Sequence, residues 1–175
     1  MKLYYSDTLM PRVACAVARY VGAPVELVPV NLARGAQNQP EFLALNPNAK
    51  VPVLVDDGQP IWETDAIACY LARRFAPALW PEDQVHELVR WLSWNARHFT
   101  QAGGILYFEY IIKGKYLRQE PSPRVVEMAL GNFRKFAGVL DAHLHDRDFL
   151  LGSSITVADF AVATALPFVA DAHLP

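Results

Sequence analysis

Cysteine is scarce in this chain of 175 residues: Cys15 and Cys69 are the only two, and they make no C-x-x-C pair, no zinc-ligand spacing and no disulfide framework. Both lie among Ala and Val in segments that read as helix, where a buried, inert thiol is the default. An apolar run of about 18 residues, the signature of a membrane helix, is also missing. So is a leader with a basic start and a small-residue cleavage site, which leads to the expectation of a soluble protein held in the cytoplasm, with no membrane partner. Charge of one sign is lacking too. Seven basic and seven acidic side chains fall in residues 1–80, nine and eleven in residues 81–175, and the net charge is -2. No basic face announces a nucleic-acid partner. His98 has no cluster of ligands around it, so no metal site is expected. The 13 prolines fall between periodic segments and form no low-complexity tract.

What is present is a 53% hydrophobic, 19% charged composition, enough for one large domain or two small ones with real cores. Lys2-Leu3-Tyr4-Tyr5 reads as a strand, followed by the polar loop Ser6-Asp7-Thr8. Pro11 marks a helix start, Val13, Ala14, Val17, Ala18 and Val21 supply its apolar face, and Gly22 ends it. Residues Pro24 to Val28 read as a second strand, parallel to the first through a right-handed crossover. A loop follows over Asn31 to Gln39, then a short helix over Pro40 to Leu45. Next come a hairpin turning at Asp57-Gly58 and a helix from Thr64 to Phe75. The order βαβαββα predicts two parallel strands and an antiparallel hairpin beneath three helices.

Pro77 to Pro81 breaks the pattern and reads as an inter-domain linker. Beyond it every long periodic segment is helical. One helix is expected from Glu82 to about Phe108, with Gly103-Gly104 as the point where it bends or breaks. Pro121-Ser122-Pro123 opens another, buried along Val125, Val126, Ala129, Leu130, Phe133, Phe136, Leu140 and Leu144. Phe149-Leu150-Leu151 anchors the connection after it. Thr156-Val157-Ala158-Asp159 has the form of a capping box opening an apolar helix through Leu166. The second part is therefore an all-α helical bundle. Trp91, Trp94, Phe99, Tyr107, Phe108 and Tyr110 read first as core packing along one helix, and second as a substrate pocket.

The chemistry concentrates between Asn46 and Tyr70. Pro52 at the start of a strand is either an ordinary edge proline or the second residue of a cis Val51-Pro52 bond. In the second case the Val51 backbone turns outward to pair with a peptide-like ligand. Glu63-Thr64-Asp65 precede a convincing helix whose first N–H groups lack intrahelical partners. Thr64 or Asp65 can simply cap it. Alternatively those N–H groups and the Thr64 hydroxyl take a ligand carboxylate while Glu63 receives an ammonium, which would read an α-amino acid end. The loop from Ser6 to Met10 lies where ligands of α/β sheets bind, at the C-terminal end of the first strand and before a helix N-terminus.

The YYS start with Pro11-Arg12-Val13, NPNAKVPVL, the ETDAI segment and SSITVADF together resemble the cytosolic glutathione transferase (glutathione S-transferase) family, in a serine-type-like or unclassified bacterial-like form. The resemblance covers essentially the whole chain. It implies an α/β thioredoxin-like N-terminal domain (βαβαββα) over residues 1–76, a linker over 77–83, and an all-α helical domain over 84–175, after whose ITVADF helix relatives place a further helix. By the same resemblance Pro52 is the family's cis-proline and Val51 pairs its backbone with the cysteinyl part of glutathione. Glu63 and Thr64 hold the γ-glutamyl end, Lys50 faces the peptide or its glycyl carboxylate, and Asp65 joins the polar network there. Four positions before Arg12 stands Thr8, which the resemblance makes the group that stabilises the glutathione thiolate. Ser6 is the second candidate. Tyr4 and Tyr5 are disfavoured, since one faces the core and the other is tied into the strand. The loop holds no cysteine, unlike relatives that form mixed disulfides.

The implied activity is attack of glutathione, a co-substrate, on a small hydrophobic electrophile, with Trp94, His98 and Phe108 as candidate pocket walls, in a homodimer. The alternatives are a noncatalytic binding or scaffold module of the same fold and a glutathione-dependent peroxidase.

Overall fold

Leu3 sets the register of the sheet. It is fully buried, pairs in parallel with Leu27 and antiparallel with Leu54, and Leu54 in turn faces Ile61. The computed structural model describes residues 1–175, which divide into two compact units, Met1–Pro81 and Glu82–Pro175. In the first unit the strands β1 (Lys2–Tyr5), β2 (Glu26–Pro29), β3 (Val53–Asp56) and β4 (Gln59–Trp62) form one sheet in the order β2-β1-β3-β4. The helices are α1 (Leu9–Tyr20), α2 (Pro40–Leu43) and α3 (Thr64–Phe75). This is the thioredoxin-like βαβαββα order that the sequence implies. Successive strand residues face opposite sides. Tyr4 and Val53 therefore turn to the cluster built on Phe42 and Val30, while Leu3 and Leu54 turn the other way.

Helices α1 and α3 pack against each other, and their buried residues include Val13, Ala14, Val17 and Ala18 of the one and Ile67, Ala68, Leu71 and Ala72 of the other. The hairpin turns through Asp57 and Gly58, both with positive φ (46° and 76°) as a tight two-residue turn between twisted strands requires. A network ties this hairpin to α3. The Tyr70 hydroxyl donates to Asp56 at 2.5 Å, and the Arg74 guanidinium bonds the same carboxylate. The expected loop from Asn31 to Gln39 contains two single 3₁₀ turns, Leu32–Arg34 and Ala36–Asn38. α1 begins two residues before Pro11, because Thr8 is the extended residue at its N-terminus.

The second unit is helical: α4 (Val85–Trp94), α5 (Thr100–Tyr107), α6 (Pro123–Leu144) and α7 (Val157–Val162). The expected break at Gly103-Gly104 is elsewhere. Both glycines lie inside α5, and the helix widens instead over Asn95–Phe99. There the Thr100 N–H donates to the Asn95 carbonyl and the Thr100 hydroxyl to Asn95 Oδ1 at 2.7 Å, two bonds across five residues that a regular turn does not allow. Gly103 answers a packing need: a Cβ there would meet the Phe133 ring at 3.2 Å and the Ala165 Cβ at 3.3 Å.

The helix also runs on past Phe108, as a second wide stretch over Phe108–Leu117 that ends at Arg118 in a left-handed conformation (φ 52°). Buried Glu109 holds that stretch, accepting from Lys113 Nζ at 2.6 Å and from the Ser122 N–H at 2.7 Å. α7 is shorter than expected. Pro167 has no N–H for the carbonyl of Ala163, so the chain tightens to 3₁₀ over Ala163–Phe168. The capping box at its start forms: Asp159 Oδ2 accepts from the Thr156 N–H at 2.8 Å and from its hydroxyl at 2.9 Å. Its other oxygen accepts from the Leu150 N–H at 2.9 Å, which pins the preceding turn. No helix is long and apolar enough to cross a membrane.

Candidate functional site

Three segments of the first unit carry the residues singled out in the sequence. The first is the turn between β1 and α1. Thr8 is the N-cap residue of α1, with extended backbone (φ -137°, ψ 173°) and its N–H donating to the Ser6 carbonyl at 2.8 Å. Its hydroxyl makes no bond to the helix it caps. Ser6 is differently placed. It lines a cavity of about 270 Å³ together with Tyr5, Asp7, Pro11, Arg12, Cys15 and Leu27, and Thr8 is not part of that lining. Burial pushes the Cys15 thiol up and the Arg12 guanidinium opposes the shift only in part, which disfavours the thiolate.

The second segment is the loop from Asn46 to Pro52. The Val51-Pro52 peptide bond is cis. Pro52 is buried, and half-buried Val51 packs on the cluster of Val30, Phe42 and Val53. Neither the N–H nor the C=O of Val51 takes a hydrogen-bond partner from the chain. Lys50 is exposed, and its carbonyl accepts from Asn46 Nδ2 at 2.8 Å. Asn46 itself is only 2% exposed. Sequence reasoning did not single it out; the signal that could have done so is an Asn placed just before a proline turn and ahead of an extended run.

The third segment is the start of α3. Glu63 has φ 71° and ψ 126°, an unusual conformation for a residue with a side chain, and its exposed carboxylate makes no capping bond. Thr64 is 5% exposed and its hydroxyl donates to the Met10 carbonyl at 3.4 Å, which joins this segment to the first. The Asp65 carboxyl is held above the usual carboxylate range, by burial first and by the neighbouring Glu63 charge second. No group of three or more His, Cys, Asp or Glu side chains is placed to hold a metal ion.

Of the pocket-wall candidates in the second unit, Trp94 and His98 meet edge to face at 6.5 Å, with both rings against Phe136. Trp94 is half-buried among Trp91 (5.1 Å), Phe99 (5.8 Å, stacked) and Phe136 (6.3 Å), as core packing demands. His98 is exposed and stacks on Phe136 at 4.8 Å, while Phe108 is exposed. A cavity of about 530 Å³ takes in Trp94 along with Arg90, Trp91 and His143, without His98 or Phe108.

Residues 1–73 match the family model described as glutathione S-transferase, N-terminal domain, and residues 123–175 the one described as glutathione S-transferase, C-terminal domain. Glutathione S-transferase 3 of Zea mays is 34% identical over 177 aligned residues, 98% of this chain and 79% of that protein. The probable glutathione S-transferase GSTF2 of Oryza sativa subsp. japonica is 32% identical over 165 residues, 92% of this chain and 77% of that protein. Among solved structures, glutathione S-transferase I from mais in complex with an atrazine glutathione conjugate has a TM-score of 0.88 at 26% identity, covering 98% of this chain and 83% of that one.

Proposed function

This chain belongs to the glutathione S-transferase family and is a glutathione transferase, and we propose that Thr8, Val51, Glu63, Thr64 and Lys50 are the residues through which it works. The observation that carries the assignment is the pairing of two helix starts. Thr8, with a hydroxyl free of capping duty, heads α1, Thr64 heads α3, and the Thr64–Met10 hydrogen bond joins them.

The Thr8 hydroxyl donates to the glutathione sulfur, and the partial positive charge at the start of α1 adds to its effect. Together they favour loss of the thiol proton to solvent. The thiolate lone pair then forms a carbon–sulfur bond to a small apolar electrophile. A displaced group leaves with the bonding electrons, or, on an enone, the adduct takes a proton from solvent. Ser6 remains the second candidate, but its cavity contains none of Val51, Pro52, Glu63 and Thr64.

The unpaired N–H and C=O of Val51 receive the cysteinyl backbone, with Pro52 fixing the end of the loop. Glu63 takes the γ-glutamyl ammonium. The free N–H groups at the start of α3 take its carboxylate, with the Thr64 hydroxyl swinging from its long bond to Met10. Lys50, exposed beside Val51, takes the glycyl carboxylate. A homodimer working in the cytoplasm completes the reading; sedimentation as a monomer at micromolar concentration would remove the dimer.

The deciding experiment is calorimetric titration with glutathione, followed in the same preparation by chlorinated aromatic, epoxide, enone and hydroperoxide acceptors. Binding at millimolar glutathione or below, with conjugation of at least one acceptor, is the expected result. Absence of glutathione binding overturns the assignment of the site.

A further inference from the structure

We propose that Asn46 is a positioning residue for glutathione binding: its side-chain amide fixes the peptide plane between Lys50 and Val51 and so aims the Val51 N–H at the ligand. The inference rests on the glutathione reading of the Val51 site.

The arms of Asn46 are all engaged. Its backbone N–H donates to the Phe42 carbonyl at 2.9 Å, which anchors it to α2, and its own carbonyl accepts from the Ala49 N–H at 3.0 Å. Oδ1 accepts from both the N–H and the side-chain amide of Asn48 at 3.0 Å, closing the turn on one side. Nδ2 donates to the Lys50 carbonyl at 2.8 Å, closing it on the other. A residue 2% exposed thus braces a five-residue loop in which Ala49 sits in the left-handed region (φ 54°), a conformation that needs support from its surroundings.

The consequence for binding follows from peptide geometry. The Lys50–Val51 bond is trans, so the Lys50 C=O and the Val51 N–H share one plane and point in opposite directions. Clamping the carbonyl toward Asn46 turns the N–H away from it, and that N–H is the donor for which the chain provides no acceptor. The bond to the carbonyl also polarises the same amide and strengthens the donor. The anchor is continuous with the floor of the site, since Phe42 and Val51 pack in one cluster. The ligand therefore meets a donor oriented in advance, and loop ordering does not have to be offset at binding.

Two variants separate the arms. Asn46→Asp keeps an oxygen that accepts from Asn48 but replaces the donor to Lys50 with a second oxygen, and Asn46→Ala removes both. In each, the glutathione dissociation constant and KM are expected to rise about tenfold, the effect of losing one well-aligned hydrogen bond. The acceptor KM, and kcat at saturating glutathione, are expected to stay at wild-type values; a purely structural role would lower kcat and thermal stability without that split. Hydrogen exchange on the wild type gives an independent reading. In the free protein the Asn48 and Ala49 amides should exchange slowly and the Val51 amide fast, with Val51 slowing when glutathione is added. Wild-type affinity in Asn46→Asp, or a Val51 amide already protected without ligand, overturns the role of Asn46 alone. No glutathione binding by the wild type overturns the site itself.

Discussion

The hydroxyl of Thr64 donates to the backbone carbonyl of Met10, 3.4 Å away and 54 positions earlier in the chain. The bond fastens the first turn of α3 to the first turn of α1, so the two helix ends read as one polar surface. Its length is at the outer limit for such a bond, which suits a group that exchanges partners when a ligand arrives.

Thr64→Val is expected to test that exchange. The substitution keeps the shape of a buried side chain and removes the hydroxyl, so glutathione affinity should fall by about ten- to a hundredfold for one lost hydrogen bond to a charged group. Glu63→Gln should weaken binding comparably, and the loss should shrink as salt is raised. Calorimetric titration at two ionic strengths checks both; affinities equal to wild type for the two variants would remove the γ-glutamyl assignment.

Replacing the activating hydroxyl should affect chemistry more than binding. Thr8→Ala is expected to raise the pKa of bound glutathione and to lower turnover by the equivalent of about 1.5–3 kcal/mol, the value of a hydrogen bond to a charged group. Thr8→Ser should retain most of the rate. Ultraviolet titration of the bound thiolate gives the pKa directly. A pKa and turnover unmoved in Thr8→Ala but shifted in Ser6→Ala would transfer the role to Ser6.

Burial of Asp65 is expected to make the free protein less stable at neutral pH. Its folded-state pKa lies above the unfolded value, so between the two the folded chain holds a proton that the unfolded chain has released. Stability therefore falls as pH rises through that window and stays lowered above it. Asp65→Asn is expected to melt higher than wild type at neutral pH, with the gap closing below the ordinary aspartate range. Melting curves that run parallel at all pH values would contradict this.

Glu109 has the opposite sign. The Lys113 ammonium first, and the Ser122 amide second, hold its carboxyl below the usual glutamate range against the opposing effect of burial. Its stabilising contribution is full above the unfolded-chain value and is lost as pH falls through the lower folded value. Glu109→Gln should melt below wild type at neutral pH, and the difference should narrow in acid. A constant difference would mean that packing rather than charge carries the contribution.

Gly103 is the packing test for the second unit. The ring of Phe133 and the methyl of Ala165 stand where a larger residue would have to go. Gly103→Leu is expected to cost about 1–3 kcal/mol through overpacking, more than the gain in helix propensity returns. Urea unfolding measures it.

Much of the first unit is legible because short local patterns decide it. Asp57-Gly58 can hardly be anything but a turn between apolar runs, and Thr64 to Phe75 shows both a polar start and a periodic apolar face. The wide turns at Asn95 and Phe108 are not legible, since they depend on which side chain reaches across five residues and on burial of Glu109, neither of which has a periodicity. For the same reason NPNAK reads as a plain loop. What makes Asn46 special is that four other backbone positions converge on it, those of Phe42, Asn48, Ala49 and Lys50. Ser6 and Thr8 are both loop hydroxyls, ranked in the sequence only by their distance from Arg12; the fold is what turns Ser6 toward the Cys15 cavity.

The polar atoms that Val51 offers a ligand are main-chain atoms alone. On the role proposed for it, that half of the site recognises a peptide bond and is blind to what the neighbouring sulfur carries. Glutathione and its finished conjugate are then held with the same grip, and product must compete its way out against fresh co-substrate. S-alkyl glutathione should accordingly inhibit competitively with an inhibition constant close to the dissociation constant of glutathione, and a far weaker inhibition would show that the grip loosens once the carbon–sulfur bond has formed.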